Sequence, residues 1–508
     1  MKESIQPPPM LTQAHNRIAC HRPMLARRSK VWAAFPAALL SVGLFGCTVG
    51  PDYQRPPAPV TATYKELKGW KRATPLDDVD RGPWWLVFKD AKLDSFEPHV
   101  EISNQTVAAA AAAYEQSLAI IKETQAGLFP SVTINYTATG AHAGTATSSI
   151  STLSANGSWT LDLWGQIRRT VESNIAGAQV SDALLDNAKL STQSLLATAY
   201  FNLRAADSLQ VLLDQTVLAY KKTLTITQNQ HDAGTASLGD VATARAQVLT
   251  TESAAINVGI MRAQFEHAIA ASMGRPPADL TIPPSPLGFK LPDIPVSVPS
   301  ALLERRPDIA AAERNMQQQN ALIGATIALY YPDVSLTGLF GFTGTGALAL
   351  SLANEVWSVA ASASQIAFDA GLRESEVEAV VAAYQQSVAT YRQTVLTAFQ
   401  QVEDQLVAIR LLARQQKVAE EAVKAAQQEL DSYLNQYKAG TVAFTAVVVA
   451  QATLLGSEES VLAVRQNRFL AAVALIEALG GGWDTDLLPS SVALEMRNPI
   501  INLFNPRL

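Results

Sequence analysis

Cysteine is almost absent from this chain: two in 508 residues, at positions 20 and 47. That is too few for a disulfide scaffold or a thiolate metal cluster. Histidine is nearly as scarce at six, and His15 and His21 sit close to the N-terminus. None stands at ligand spacing from a carboxylate cluster, so no metal site is expected. Charged residues make up 17% and aromatics 7%. No Gly-rich loop runs into Gly-Lys-Ser or Gly-Lys-Thr, so no phosphate loop of that type is present. No nucleophile, base and acid stand out together, so neither a catalytic residue nor an enzyme is expected. Low-charge tracts dominated by Ala, Gln, Thr, Ser, Leu and Val suit long packed helices, because Ala loses no side-chain entropy and lets helices approach closely.

The charge that is present is unevenly spread. The net charge is −6, yet residues 1–46 carry six Lys/Arg and one acidic residue, which leaves the remainder strongly acidic. An acidic chain without a basic stripe excludes nucleic acid as a partner. "LARRSK" precedes the apolar stretch Ala33–Gly46, which is shorter than the ~20 residues a spanning helix needs and has the layout of an export signal. The leader is long when counted from Met1 and of ordinary length from Met24, an alternative start. Leu44–Phe45–Gly46–Cys47 resembles a bacterial lipobox, in which Cys47 becomes the acylated first residue. Thr48, not Asp, follows it, which agrees with sorting to the outer membrane. Phe45 departs from the usual pattern; the alternative is cleavage elsewhere. No cofactor is expected beyond covalent lipid on Cys47.

The rest of the chain is a tandem repeat. "AGLFPSVTINYTATG" (126–140) matches "ALYYPDVSLTGLFG" (328–341), "LDLWGQIRRT" (161–170) matches "AFDAGLRESE" (367–376), and "QNQHDAGTASLGDVATARAQ" (228–247) matches "LNQYKAGTVAFTAVVVAQAT" (434–453). Two copies of one large unit exclude a solenoid of short repeats. Each unit reads as a helix, two strands, a very long helix, a tight turn and another helix. The first helix is expected over about 100–128, ended by Pro130. Val132, Ile134, Tyr136 and Ala138 then alternate with polar residues, and Trp159, Leu161 and Leu163 do the same in the next strand. "GTATSSI" and "GTGALALS" read as the connecting loops.

The long helices are expected from about Gly165 to Asp232 and from about Gly371 to Ala439, each ~100 Å long. The second carries a heptad seam of Val377, Val381, Tyr384, Val388, Tyr391, Val395, Ala398 and Val402, so it must lie along partner helices. Four strands with one apolar face cannot close a barrel, and their open edges would be a liability. Oligomerisation resolves both. The fold expected is mainly α with transmembrane β: a barrel built from several copies, continued by a long coiled-coil helical duct.

"CTVGPDYQRPP", "LDLWG", "EHAIAASMGRPPADL", "LLERRPDIAAAE", "FDAG" and "EALGGGW" occur in order over residues 47–485 and resemble the lipoprotein (NodT-like) branch of TolC-type outer-membrane efflux channels. The resemblance implies a homotrimer with a twelve-stranded β-barrel, four strands per protomer. It also implies docking to a periplasmic adaptor (membrane-fusion) protein and an inner-membrane RND-type pump. The channel would be a passive exit duct for drugs or other small toxic compounds, lipid-anchored in the outer membrane and extending into the periplasm. The chain then divides into a presequence (1–46), a lipidated arm and equatorial segment (47–99), two repeats (100–298 and 299–482) and an equatorial tail (483–508). The competing reading is a lipid-anchored periplasmic coiled-coil structural or adaptor protein, which would not need the strands.

Gly234 and Gly440 mark helix turns at the far end of each unit, and the resemblance makes these the periplasmic tip and gate. It also implies a tyrosine–carboxylate bond between hairpins involving Asp240 and Tyr437. The plainer reading makes Asp240 a first-turn helix acid and Tyr437 a seam residue. Val449 stands where relatives often carry a ring-forming acid, and Val442 where they may carry a basic residue. A hydrophobic ring closes a pore by dewetting, whereas an acidic ring selects cations.

Overall fold

The structure is a computed structural model that describes residues 48–61, 63–66, 83–288, 291, 302–346 and 352–496. The presequence, Cys47, all of 67–82, the second expected loop beyond Gly346 and the last residues of the tail lie outside the described residues. A 3-10 turn (Trp84–Phe88) leads into short helices α1 (Ala91–Phe96) and α2 (Pro98–Ser103). The first unit follows as α3 (Gln105–Ala126), β1 (Ser131–Ala143), β2 (Ala146–Leu161), α4 (Gln166–Asp232) and α5 (Leu238–Ser272). After α6 (Leu302–Arg305) the second unit runs α7 (Pro307–Ala328), β3 (Asp333–Thr345), β4 (Glu355–Ser364), α8 (Leu372–Lys438) and α9 (Phe444–Ala478), then α10 (Ser491–Glu495).

The two units agree closely in their helices. Their first helices both have 22 residues, their long helices 67 and their last helices 35. The helix expected over 100–128 starts instead at Gln105, because the Asn104 side chain accepts from Thr106 N and Val107 N (2.8 and 3.1 Å) and caps it. The stretch read as a loop at 144–150 is mostly strand: only Gly144 and Thr145 separate the paired residues Ala143 and Ala146. Strand lengths are accordingly 13, 16, 13 and 10 residues. Leu163 lies beyond β2, which ends at Leu161.

Short helices stack end to end alongside the long ones. Ser103 Oγ donates to Met273 O (2.6 Å) and Asn104 Nδ2 to Ser272 O (2.8 Å), joining the start of α3 to the end of α5. In the second unit Arg306 Nη1 donates to Ala478 O (2.9 Å), joining α7 to α9. There the backbones approach so closely that a Cβ on Gly480 would overlap the Arg305 carbonyl. One layer of the bundle is therefore ordered α3–α4–α7–α8 and the other α5–α4–α9–α8. The α9 helix is long and apolar enough to cross a bilayer, but it packs along α8 and α4.

The heptad seam of α8 is buried from Tyr391 through Val395, Ala398 and Val402. Between the layers lies a core of Trp84, Trp85, Leu93, Phe96, Tyr200, Phe201, Met273 and Phe469, with Phe88–Phe201 and Phe201–Phe469 ring centroids 4.9 Å apart. Trp84–Trp85 thus belongs to the core, and Trp483 is buried with its indole donating to Asp186 (2.8 Å).

Candidate functional site

The strands form one antiparallel sheet ordered β1-β2-β3-β4. Directly opposed residues share a face, so the register sorts the side chains. One face carries Val132, Ile134 and Tyr136 of β1, Leu153, Ala155 and Trp159 of β2, Leu336, Phe340 and Phe342 of β3, and Trp357, Val359 and Ala361 of β4. The other carries Thr133, Asn135, Ser154, Asn156, Ser158, Ser335, Thr337, Ser358 and Ser362. The apolar face is open: Ile134 is 75% exposed, Trp357 69% and Val359 79%. From Val334 to Phe342 it is ~26 Å long along the strand, which at a barrel tilt of ~40° spans ~20 Å, most of the height of an outer-membrane apolar band. Such a face in water would be a large exposed apolar patch; against lipid it is satisfied. Among the described residues the edges β1 and β4 have no further strand neighbour.

Below the sheet, each long helix starts at a buttressed junction that explains the "LDLWG" and "FDAG" motifs. Asp162 accepts from Ile167 N and Arg168 N (both 3.0 Å) and from Arg168 Nε (3.1 Å). Asp369 accepts from Gly371 N (3.1 Å) and Arg373 Nε (2.5 Å). Each carboxylate thereby satisfies a helix N-terminus and fixes an arginine. Arg373 also lies over the Tyr330 ring, 5.3 Å from its centroid, and Trp164 stacks on Tyr331 at 4.8 Å. These aromatics sit where the apolar band ends, the position of an interfacial girdle.

The N-terminal arm docks at this junction, a feature sequence reasoning missed. Val49 N donates to Trp164 O (3.1 Å). Arg169, only 5% exposed, donates to Val49 O, Gly50 O, Asp52 and Glu172. Further along, Asn320 Nδ2 donates to Pro51 O (2.9 Å), Arg55 donates to the Tyr391 hydroxyl (3.1 Å), Glu403 accepts from Lys65 N and Glu66 N, and Arg410 pairs with Glu66. The arm is thus stitched to α4, α7 and α8. No local pattern in the sequence announces these contacts, since the partners lie more than a hundred residues away.

At the opposite end both hairpins turn alike. Gly234 (φ +80°) and Gly440 (φ +73°) adopt the left-handed conformation. Thr235 N donates to Gln230 O (2.8 Å) and Gly234 N to His231 O (2.8 Å); Thr441 N to Gln436 O (3.0 Å) and Gly440 N to Tyr437 O (2.9 Å) repeat the pattern. Both are complete Schellman caps. Asp240 closes a capping box with Ser237, its carboxylate accepting from Ser237 N (3.1 Å) and Oγ (2.9 Å). Tyr437 is 7% exposed, packs on Phe444 with centroids 5.2 Å apart, and its hydroxyl has no hydrogen-bond partner among the described residues. The structure therefore does not join Asp240 to Tyr437 within a protomer. Val449 is 62% exposed, while Val442 packs partly buried against the Tyr437 cluster. The two hairpins are tied through α4 and α9: Tyr220 OH donates to Gln451 O (3.1 Å) and Gln451 Nε2 to Thr223 Oγ1 (3.0 Å), all three residues buried. Among the described residues no group of three or more His, Cys, Asp or Glu is placed to hold a metal ion.

Comparison with known proteins meets this geometry from another side. The profile of a family described as "Outer membrane efflux protein" matches residues 99–275 and 298–481. The chain is similar to the toluene efflux pump outer membrane protein TtgC of Pseudomonas putida, 27% identical over 455 residues, 87% of this chain and 93% of the relative. It is similar to the cation efflux system protein CusC of Escherichia coli, 25% identical over 87% of this chain and 97% of the relative. The solved structure of the outer-membrane channel OprN superposes with a TM-score of 0.80 at 28% identity, covering 86% of this chain and all of that one.

Proposed function

Since the chain belongs to the outer membrane efflux protein family, we propose that it is the passive exit duct of a tripartite efflux system. The observation that carries this reading is a four-stranded sheet with one exposed apolar face and two open edges, mounted on helices ~100 Å long. The helical layer is open at the same two sides. Leu249, Ile256 and Ile260 are exposed on α5, and Leu396, Leu411 and Val418 on α8. A patch on one side that complements a different patch on the other joins copies head to tail and closes a ring. Because β1 and β4 run antiparallel, β4 of one copy can pair with β1 of the next. Three copies, as the family resemblance implies, make a homotrimer with twelve strands.

The partners follow from the same reading: a periplasmic adaptor at the helical tip and an inner-membrane RND-type pump that supplies the energy. The chain itself would catalyse no reaction. The names of its relatives range from toluene to cations, so the cargo proposed is small toxic compounds in general. Cys47 would carry the lipid: Thr48 and Val49 start beside Trp164, at the lower limit of the apolar band, where an acyl chain enters the membrane without spanning the gap. Gly234, Gly440, Asp240, Tyr437 and Val449 are proposed as tip residues. With the Asp240 carboxylate occupied by Ser237 and Val449 exposed, a hydrophobic constriction is the favoured gate.

Planar-bilayer recording of the purified mature protein tests the reading. Discrete conductance steps that need no nucleotide or ion gradient are expected. Protein that binds bilayers but never conducts would return the argument to a lipid-anchored spacer.

A further inference from the structure

If the apolar face meets lipid, the polar face lines the passage, and its chemistry can be read residue by residue. The four strands contain three residues of charged type: His142, Asp333 and Glu355. Glu355 opposes Phe342, and His142 has the parity of Tyr136, so both belong to the apolar face, at the end of the sheet remote from the helices. Asp333 opposes Ser364 and has the parity of Ser335 and Thr337. Among the described residues of the strands it is the one ionisable side chain on the polar face. Above it the face carries no further charge: Ser335, Thr337, Thr133, Asn156, Asn135 and Ser154 dominate it, with Leu339, Ile150 and Val356 as its larger apolar members.

Asp333 opens β3 directly after Pro332, whose carbonyl accepts from the Trp164 indole (2.8 Å). It therefore sits at the mouth where duct meets barrel. Its side chain is exposed and forms no hydrogen bond or ion pair with the described residues. The arginines of this junction are committed elsewhere: Arg168 to Asp162, and Arg373 to Asp369, Leu329 O and Ile366 O. The matching position in the first unit is Ser131, after Pro130, so each copy contributes one carboxylate.

We propose that Asp333, once per copy, forms an anionic ring at the inner mouth of a barrel whose polar, inward face is otherwise uncharged. This rests on the closed-barrel reading above. The ring makes Asp333 a specificity-determining residue: it disfavours anionic cargo and favours cationic cargo at that one level. Beyond it, neutral, cationic and anionic solutes meet the same uncharged, mostly polar wall. Screening confines the effect, since the Debye length is ~10 Å at 0.1 M salt. Ser335 lies ~7 Å along the strand from Asp333 and the level of Asn135 ~26 Å.

The scarcity of cysteine provides a local probe. Ser335→Cys and Asn135→Cys, made separately in the full chain in outer-membrane vesicles, are labelled with cationic and anionic methanethiosulfonate reagents of similar size. The cation-to-anion rate ratio is expected to be about threefold higher at position 335 than at 135, as one carboxylate ~7 Å away in water at 0.1 M salt dictates. Adding Asp333→Asn should collapse the ratio at 335 to that at 135. Thr337→Cys, one step further in, should lie between the two and does not disturb the Ser335–Ser362 bond. Equal ratios at 335 and 135, or a ratio at 335 untouched by Asp333→Asn, would overturn the ring while leaving the barrel intact. Failure of both polar-face cysteines to react while Val359→Cys reacts freely would instead overturn the barrel reading, and the ring with it.

Discussion

Glu97 joins α1 to α2 and is fully buried, with neither carboxylate oxygen hydrogen-bonded among the described residues. Desolvation pushes its pKa from the ordinary 4.5 up to about 9, so the group is neutral at physiological pH. The folded state thus holds a proton that the unfolded chain releases above pH 4.5. The associated stability is intact below that value and is lost as pH rises toward 9, by up to about 1.4 kcal/mol per unit. Glu97→Gln keeps the shape and removes the titration. The variant is expected to melt higher than the parent at pH 8.5, with the gap closing toward pH 5, in thermal melts of detergent-solubilised protein. A pH-independent gap would contradict the assignment. Nothing in the sequence around "DSFEPHV" announces this burial, because the surroundings of Glu97 are assembled by the tertiary fold.

Element by element, legibility followed the range of the interactions involved. Helix ends at Gly234 and Gly440 and the breaks at Pro130 and Pro332 rest on local contacts, and the α8 seam, though buried by distant partners such as Ile309, Met316 and Leu475, repeats regularly enough along one helix for the pattern to display it. The β1–β2 turn was hidden because "GTATSSI" has loop composition, although a barrel wall needs such Ser and Thr on its wet face. The link from α5 toward the second unit was equally silent. There Asp207, whose side chain is 2% exposed, pairs with Arg204 and Arg262 and accepts from Ser285 N (2.9 Å), while Glu266 accepts from Ile282 N. Asp207→Ala would leave the buried Arg204 without a carboxylate, with Arg262 still held by Glu266, and should cost about 3–5 kcal/mol, with proteolysis opening near residues 282–287. Glu252→Ala, which breaks the more exposed Lys221–Glu252 pair, should cost under ~1 kcal/mol. Equal effects of the two variants would show that the clamp is dispensable.

For the whole molecule, the tandem repeat and the amphipathic strands already demanded more than one copy, since four strands have no way to bury both edges. What the sequence concealed is how that demand is met on two levels at once. The sheet ends in β1 and β4, the helical layer ends in α3 and α5 on one side and α8 on the other, and one head-to-tail operation covers both. The N-terminal arm crosses α4, α7 and α8 from the junction downward, tying its own protomer together, and among the described residues Leu249, Ile256 and Ile260 of α5 and Leu396, Leu411 and Val418 of α8 stay exposed. The account therefore stands on the protomer being one part of a closed ring, lipidated where the arm begins. Native mass spectrometry of the detergent-extracted mature protein tests this most directly. The prediction is a single species of three chains, each starting at Cys47 and carrying acyl groups; a stable monomer with the sheet edges open would contradict it.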